Sequence, residues 1–98
     1  MLIKIHKSYR QVVAICDSEL IGQKIEEGKK QLDVRENFFK GDEIQEAELI
    51  EKMQDYAQDD SIFNIIGEKS VRCALKAGII SKEGILKVNG VPYALVLL

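Results

Sequence analysis

Polar and apolar residues alternate along residues 2–6, a period of two that predicts a β-strand with one solvent-facing side. Residues 11–16 are apolar almost throughout, which is typical of a strand that lies inside a sheet. Residues 7–10 separate the two segments and have the length of a hairpin loop. The chain is therefore predicted to begin with a β-hairpin whose tip is formed by residues 7–10.

A second hairpin is predicted near the end of the chain. Asn89 and Gly90 separate two apolar strand patterns at residues 85–88 and 91–97. Asn-Gly is a strong hairpin signal because both residues accept the positive φ that a tight turn requires. Pro92 has no N–H to donate, so we expect its side of the strand to be an edge or a position without a ladder hydrogen bond.

Apolar residues at helical spacing predict three helices. The second is the clearest, because its apolar stripe faces away from a run of acidic residues within residues 43–55. Asp42 is expected to cap this helix, with Gln45 as the reciprocal partner in a capping box. The three predicted helices run from Asp17 or Ser18 to Gly28, from Asp42 to about residue 57, and from just after Gly67 to Gly78.

Short strands at residues 31–35 and 62–66, and a loop at residues 37–41 with two aromatics for the core, fill the remaining intervals. The predicted order is two strands, helix, strand, helix, strand, helix and two strands. This order favours an α+β fold with a mixed sheet and two to three helices. The length of 98 residues predicts a single domain over residues 1–98.

The composition, 46% hydrophobic and 31% charged, is that of a globular protein. No apolar run approaches the roughly 18 residues that span a bilayer, and the first residues open a strand pattern rather than a signal peptide, so we expect a cytosolic protein. Cys16 and Cys73 lie in apolar patterns that favour reduced core residues, and a disulfide between them depends on how close the fold brings them. The single histidine, His6, has no partner at metal-ligand spacing, so no metal or cofactor is predicted.

The formal charge of −2 conceals an uneven distribution along the chain. Residues 1–32 carry six bases and four acids, residues 33–60 carry three bases and ten acids, and residues 61–98 carry five bases and two acids. A basic surface and an acidic helix can therefore coexist on one small domain.

The first hairpin and its approaches contain cations, a histidine and an aromatic ring, and no acid. Cations can hold phosphates while an aromatic ring stacks on an unpaired base, as recognition of single-stranded RNA requires. Further cations near Gly67 would extend this surface if the sheet sets them on the same side. The predicted RNA-binding residues are Lys4, His6, Lys7, Tyr9, Arg10, Lys69 and Arg72.

The transition from strand to helix at Gly67 is a candidate anion site. The first N–H groups of a helix have no carbonyl partner and can point at a phosphate. The candidate anion-binding residues are Gly67, Lys69 and Ser70. The same turn also occurs as a purely structural feature without a ligand, and Glu68 then interacts with the helix dipole as acidic residues in a first helical turn ordinarily do.

Several segments, in order along the whole chain, resemble a small archaeal family of unknown function. The resemblance rests on residues 5–10, 12–17, 27–28, 32–34, 64–68, 70–71 and 90–97. It implies a compact cytosolic α+β protein connected with translation, with RNA or a ribosome-associated protein as its partner. It supplies no catalytic or binding residues.

The leading hypothesis is a non-catalytic module that binds RNA through the first hairpin and the glycine turn at residues 67–70. One alternative is a phosphate site for a nucleotide or small molecule at that turn, with or without turnover. Another is a protein adaptor whose acidic helix, residues 43–55, docks on a basic partner. A cysteine enzyme is disfavoured, because pairing of His6 with Gln11 would leave His6 too far from Cys16 for proton transfer.

Overall fold

A six-stranded mixed sheet forms the centre of the fold in the computed structural model, which describes residues 1–97. The strands in this part of the chain are β1 Leu2–His6, β2 Val12–Cys16, β3 Lys24–Glu27, β4 Lys30–Asp33, β5 Asp42–Glu43, β6 Ile62–Ile66, β7 Leu86–Val88 and β8 Val91–Val96. The order in the large sheet is β5-β1-β2-β6-β8-β7, and a separate hairpin pairs β3 with β4. Only the β2–β6 pair in the described sheets is parallel.

Helices and the small hairpin cover the two faces of the sheet, which confirms the predicted α+β fold. The helices are α1 Glu36–Phe39, α2 Glu46–Gln58 and α3 Glu68–Ala77, with short 3₁₀ turns at Ser18–Leu20 and Lys82–Gly84. Because successive strand residues point to opposite faces, Ile15 and Phe63 pack under α2 and α3, whereas Cys16 and Ile66 pack under α1 and β3–β4.

The parallel β2–β6 pair decides which loops lie together. Val12 pairs with Ile62 and Cys16 pairs with Ile66, so the two strands begin at one edge of the sheet and end at the other. The edge where they begin holds residues 7–11 and 59–61, and is called the tip edge below. The edge where they end holds Asp17 and residues 67–70, and is called the cap edge.

Most of the predicted strands and the third helix are confirmed. Asn89 and Gly90 have φ values of +47° and +80°, and Gly78 ends α3 with a φ of +79°. Glycine and asparagine accept positive φ more readily than other residues do, so the sequence alone is enough to predict these turns. Pro92 lies opposite Lys87 in an inner strand, and its carbonyl accepts a hydrogen bond from the Gly67 N–H at the end of β6.

The predicted helix from Asp17 or Ser18 to Gly28 is wrong. The structure has a three-residue 3₁₀ turn at Ser18–Leu20, followed by β3. Ile25 is buried opposite Leu32 of β4, and Gly28, with a φ of +61°, starts the turn that joins the two strands. Burial of this pair over the sheet outweighs the weak helical spacing of the segment.

The predicted start of the second helix at Asp42 is also wrong. Asp42 pairs with Ile3 in β5, and Gln45 is the residue that precedes the first helical turn of α2. A Cβ on Gly41 would lie 2.0 Å from the Ile3 carbonyl oxygen, so glycine lets the chain approach β1 and pair with it. The predicted loop at residues 37–41 overlaps one helical turn, α1. Its Phe39 is buried as expected, whereas Phe38 is half-buried against the same cluster.

Candidate nucleic-acid interface

The first hairpin and the turn between α2 and β6 meet at the tip edge. The Ile62 N–H donates a hydrogen bond of 2.9 Å to the Gln11 carbonyl, which fixes the two segments side by side. Between them lies an open groove of about 720 Å³. The groove is lined by Lys7, Ser8, Tyr9, Arg10, Gln11, Asp59 and Asp60.

The hairpin side of this groove presents an aromatic ring and two cations to solvent. Tyr9 is fully exposed, and Lys7 and Arg10 are exposed beside it. Ser8 Oγ donates to the Arg10 carbonyl at 2.7 Å and so braces the loop. An aromatic ring and two cations are thus exposed together at the tip edge, and their role in RNA binding stays a prediction.

The opposite side of the groove is acidic, which sequence reasoning missed. Asp59 and Asp60 are exposed and follow the last turn of α2, where their N–H groups donate to the Tyr56 and Ala57 carbonyls at 3.1 and 3.2 Å. Asp60 has a φ of +56°. In the sequence these residues indicate only the end of a helix. Their position beside the hairpin tip follows from the parallel β2–β6 pair, which the sequence pattern does not predict.

Lys4 and His6 serve the fold rather than the groove. The Lys4 ammonium donates to the Asn37 carbonyl at 2.8 Å, and His6 Nε2 lies 2.8 Å from the Phe38 carbonyl. Since a carbonyl only accepts, Nε2 carries the proton in this arrangement. The His6 ring also stacks on Phe38, with ring centres 4.5 Å apart, so both side chains hold α1 against β1.

The cap edge is organised around a buried carboxylate. Asp17 accepts hydrogen bonds from the Lys69 N–H at 3.1 Å, from the Ser70 N–H at 2.8 Å and from Ser70 Oγ at 2.8 Å. Gly67 has a φ of +115°, and a Cβ there would lie 2.4 Å from Asp17 Cγ. The donors of the candidate anion site therefore already bind a carboxylate of the protein itself.

The surroundings of the glycine turn are also acidic. Lys69 pairs with Glu19 at 3.9 Å, and the groove of about 170 Å³ outside the turn includes Glu19 and Glu68. Arg72 is exposed on α3. An external anion would have to displace Asp17 from a site lined by other carboxylates.

The structure does not bring the two basic stretches together. The hairpin tip lies at the tip edge, whereas Lys69 lies at the cap edge, on the other side of the five residues of β2. Five residues of strand span about 17 Å. The expectation of one continuous basic surface is therefore wrong, and the hairpin cations form a surface separate from the one near Gly67.

A family model described as "Protein of unknown function (DUF424)" matches residues 5–98. The chain belongs to this family. A similar fold occurs in a crystal structure of an uncharacterized conserved protein from the archaeon Methanopyrus kandleri, with a TM-score of 0.86 and 24% identity over 98% of this chain and 90% of the other. No curated protein matches the chain. The resemblance to an archaeal family of unknown function is thus confirmed.

The acidic side chains of the second predicted helix are exposed in this DUF424 member, as expected. Glu46 binds the Lys76 ammonium of α3, and this hydrogen bond and charge lower the pKa of the Glu46 carboxyl. Glu43, at the end of β5, lies 3.5 Å from the N-terminal ammonium. These contacts tie part of the acidic surface to the fold, and docking on a basic partner stays a prediction.

The two cysteines are free thiols buried on opposite faces of the sheet. Burial, with a smaller contribution from the neighbouring Asp17 charge, raises the pKa of the Cys16 thiol from 9.0 to about 11. Burial also raises the pKa of Cys73. Since the thiolate is the reactive form, both thiols are poor nucleophiles at neutral pH.

Within residues 1–97, no group of three or more His, Cys, Asp or Glu side chains could hold a metal ion. No helix there is both long and apolar enough to cross a membrane.

Proposed function

We propose that the protein is a non-catalytic cytosolic module that binds single-stranded RNA at the tip edge. The observation that supports this function is the fully exposed Tyr9 ring between Lys7 and Arg10, over an open groove. An aromatic ring on a hairpin tip contributes nothing to the core, and a ring in this position can stack on an unpaired base. The translation link implied by the family resemblance makes ribosomal RNA the first natural target to test.

Stacking contributes more to this mode of binding than charge does. Each base stacked on an aromatic side chain is worth about 1–3 kcal/mol. Lys7 and Arg10 can contact about two phosphates, which for a single strand gives a salt slope of roughly −1.4 in log K against log salt. Because Asp59 and Asp60 line the same groove, long-range attraction of the RNA is weak. We therefore expect modest affinity with a shallow salt dependence.

The proposal is tested by fluorescence anisotropy with a labelled mixed-sequence RNA octamer. Tyr9→Ala should weaken binding roughly 5- to 150-fold, the equivalent of one lost stacking contact, while Tyr9→Phe should retain most of it. Lys7→Ala should flatten the salt slope by about 0.7. Lys82→Ala, at an exposed lysine of the 3₁₀ turn Lys82–Gly84, is the matched control and should change neither quantity.

Two results would refute the proposal. The first is the absence of RNA binding by the wild-type protein at low salt. The second is binding that Tyr9→Ala and Lys7→Ala leave unchanged, which would move the RNA site away from the hairpin. Gentle purification from the native host at low salt should show nucleic acid travelling with wild-type protein and less of it with Tyr9→Ala.

A further inference from the structure

We propose that the groove at the tip edge selects guanine, with a carboxylate of Asp59 or Asp60 accepting hydrogen bonds from a base stacked on Tyr9. This inference rests on the proposed RNA binding and adds the identity of the base. Stacking alone is tolerant of sequence, because every base has a π-face. Selectivity must therefore come from polar groups that line the groove beside the ring.

The acidic turn is held firmly in place beside the hairpin. The Ser61 N–H donates to the Tyr56 carbonyl at 3.2 Å, and Ser61 itself is fully buried. Ile62 then enters the parallel pair with β2. The backbone of Asp59 and Asp60 is thus anchored between the end of a helix and the start of a central strand, which keeps both residues beside the hairpin.

Neither aspartate suits the charge at this end of the helix. The C-terminal end of a helix carries partial negative charge, and an acidic residue there costs stability, whereas Lys, Arg or His would add it. Asp60 also adopts positive φ, a conformation that aspartate tolerates better than most residues although glycine adopts it more readily. Two residues that oppose helix stability at the rim of a groove are candidates for a binding role.

The donor pattern of the bases decides which base fits. An ionised carboxylate only accepts hydrogen bonds, through two oxygens with about four acceptor sites. Guanine presents two neighbouring donors, N1–H and the 2-amino group, which match the two oxygens. Adenine and cytosine each present one amino group beside a ring acceptor, and uracil presents one N–H between two carbonyls, so these bases set a lone pair against the carboxylate.

The arrangement of charge also sets the direction of the nucleotide. Lys7 and Arg10 lie on the hairpin side of the groove and Asp59 and Asp60 on the helix side. Phosphates are attracted to the first side and repelled by the second. A nucleotide stacked on Tyr9 therefore directs its phosphate towards the hairpin and its base edge towards the carboxylates. Because a carboxylate has spare acceptor sites, it can contact a cation in the groove and still accept from the base.

The test compares oligouridine octamers that carry one central guanine, adenine, cytosine, uracil or hypoxanthine. A bidentate contact discriminates between bases by roughly 5- to 150-fold, and we expect guanine to be preferred by an amount in that range. Hypoxanthine keeps N1–H and lacks the 2-amino group, so its affinity should fall between guanine and adenine. Guanosine monophosphate is the second arm, because a free nucleotide carries the same base edge as RNA.

Variants identify the carboxylates. The double variant Asp59→Asn, Asp60→Asn should lose the preference for guanine and keep or strengthen its binding to oligouridine, since negative charge is removed. Asp55→Asn, which neutralises an exposed acid elsewhere on α2, is the control and should keep the preference. A thermal melt of each variant shows that it is folded, and Asp60→Asn should melt no lower than wild type because asparagine suits positive φ.

Each outcome has a distinct meaning. Equal wild-type affinity for all five octamers would overturn guanine selection and leave RNA binding intact, whereas no binding to any octamer would overturn both proposals. A guanine preference that survives in the double variant would also overturn the role of the carboxylates. Competition by guanosine monophosphate at the affinity of the guanine octamer would assign the site to the free nucleotide, and a much weaker effect would assign it to RNA.

Discussion

Replacement of Asp17 by alanine should cost more stability than any other single change at an acidic residue of this chain. The side chain is buried and accepts three hydrogen bonds from Lys69 and Ser70. A hydrogen bond to a charged group contributes about 1.5–3 kcal/mol, and a buried donor left without a partner costs about 1–3 kcal/mol. Because one carboxylate makes all three bonds, the terms do not add in full, and we expect a loss of about 3–5 kcal/mol.

That loss is large for a domain of this size. Small domains have unfolding free energies of about 5–15 kcal/mol, and 1 kcal/mol corresponds to about 4–8 °C in Tm for 60–100 residues. Asp17→Ala should therefore lower Tm by at least about 12 °C in a thermal melt followed by circular dichroism. Asp17→Asn keeps one acceptor oxygen but turns an amide N–H towards the donors, so its loss should be intermediate.

Urea unfolding supplies the free energies, and Asp55→Ala, at an exposed acid of α2, is the matched control with little expected change. A loss below about 1 kcal/mol for Asp17→Ala would refute the reasoning, since it would mean that solvent replaces the carboxylate at the start of α3 without cost.

Three further predictions concern the same core. Gly67→Ala should lower the free energy of unfolding by about 2–4 kcal/mol, because a Cβ would lie 2.4 Å from Asp17 Cγ and the φ of residue 67 is +115°. Gly84→Ala is the control in the same urea series, since a Cβ there would meet no atom of residues 1–97 within 4 Å. The folded-state pKa of Cys16 is raised from 9.0 to about 11. The stability that the neutral thiol contributes is therefore complete below pH 9 and is lost as the pH rises through 11. Cys16→Ala should remove this part of the alkaline decline in the free energy of unfolding. Inorganic phosphate should not raise the wild-type Tm through the glycine turn, and a saturable shift that Ser70→Ala abolishes would contradict this.

Elements with local signals could be predicted from the sequence. Asn89 and Gly90 both have positive φ, and each favours the tight turn by its own chemistry. Gly78 ends α3 in the same way. The first hairpin and β6 follow from apolar patterns that admit one interpretation, so their neighbours in space were not needed to place them.

Segments whose pattern fits two structures could not be settled in this way. Residues 18–28 space Leu20, Ile21 and Ile25 as a short helix would, and the structure instead pairs Ile25 with Leu32 over the sheet. The observed start of α2 differs from the prediction for a related reason. Asp42 and Gln45 form a sound capping pattern, but pairing of Asp42 with Ile3 keeps the chain extended for three more residues. In both cases a contact distant in sequence outweighs a local preference.

The candidate site was half predictable. Lys7, Tyr9 and Arg10 were found from the composition of one loop. Their neighbours Asp59 and Asp60 were not, because only the parallel pairing of β2 with β6 places them there. The same pairing separates Lys69 from the hairpin tip. Nothing in the spacing of charges along the chain encodes which strands are neighbours.

The aspartates at two helix ends of this molecule differ in what the fold explains. Asp17 lies at the positive N-terminal end of α3, is buried, and satisfies three donors, so the fold itself explains why an acid is there. Asp59 and Asp60 lie exposed at the negative C-terminal end of α2, where an acid weakens the helix. Since folding accounts for the first carboxylate and opposes the other two, Asp59 and Asp60 are the pair for which a ligand has to be sought, and the exposed ring of Tyr9 stands across the groove from them.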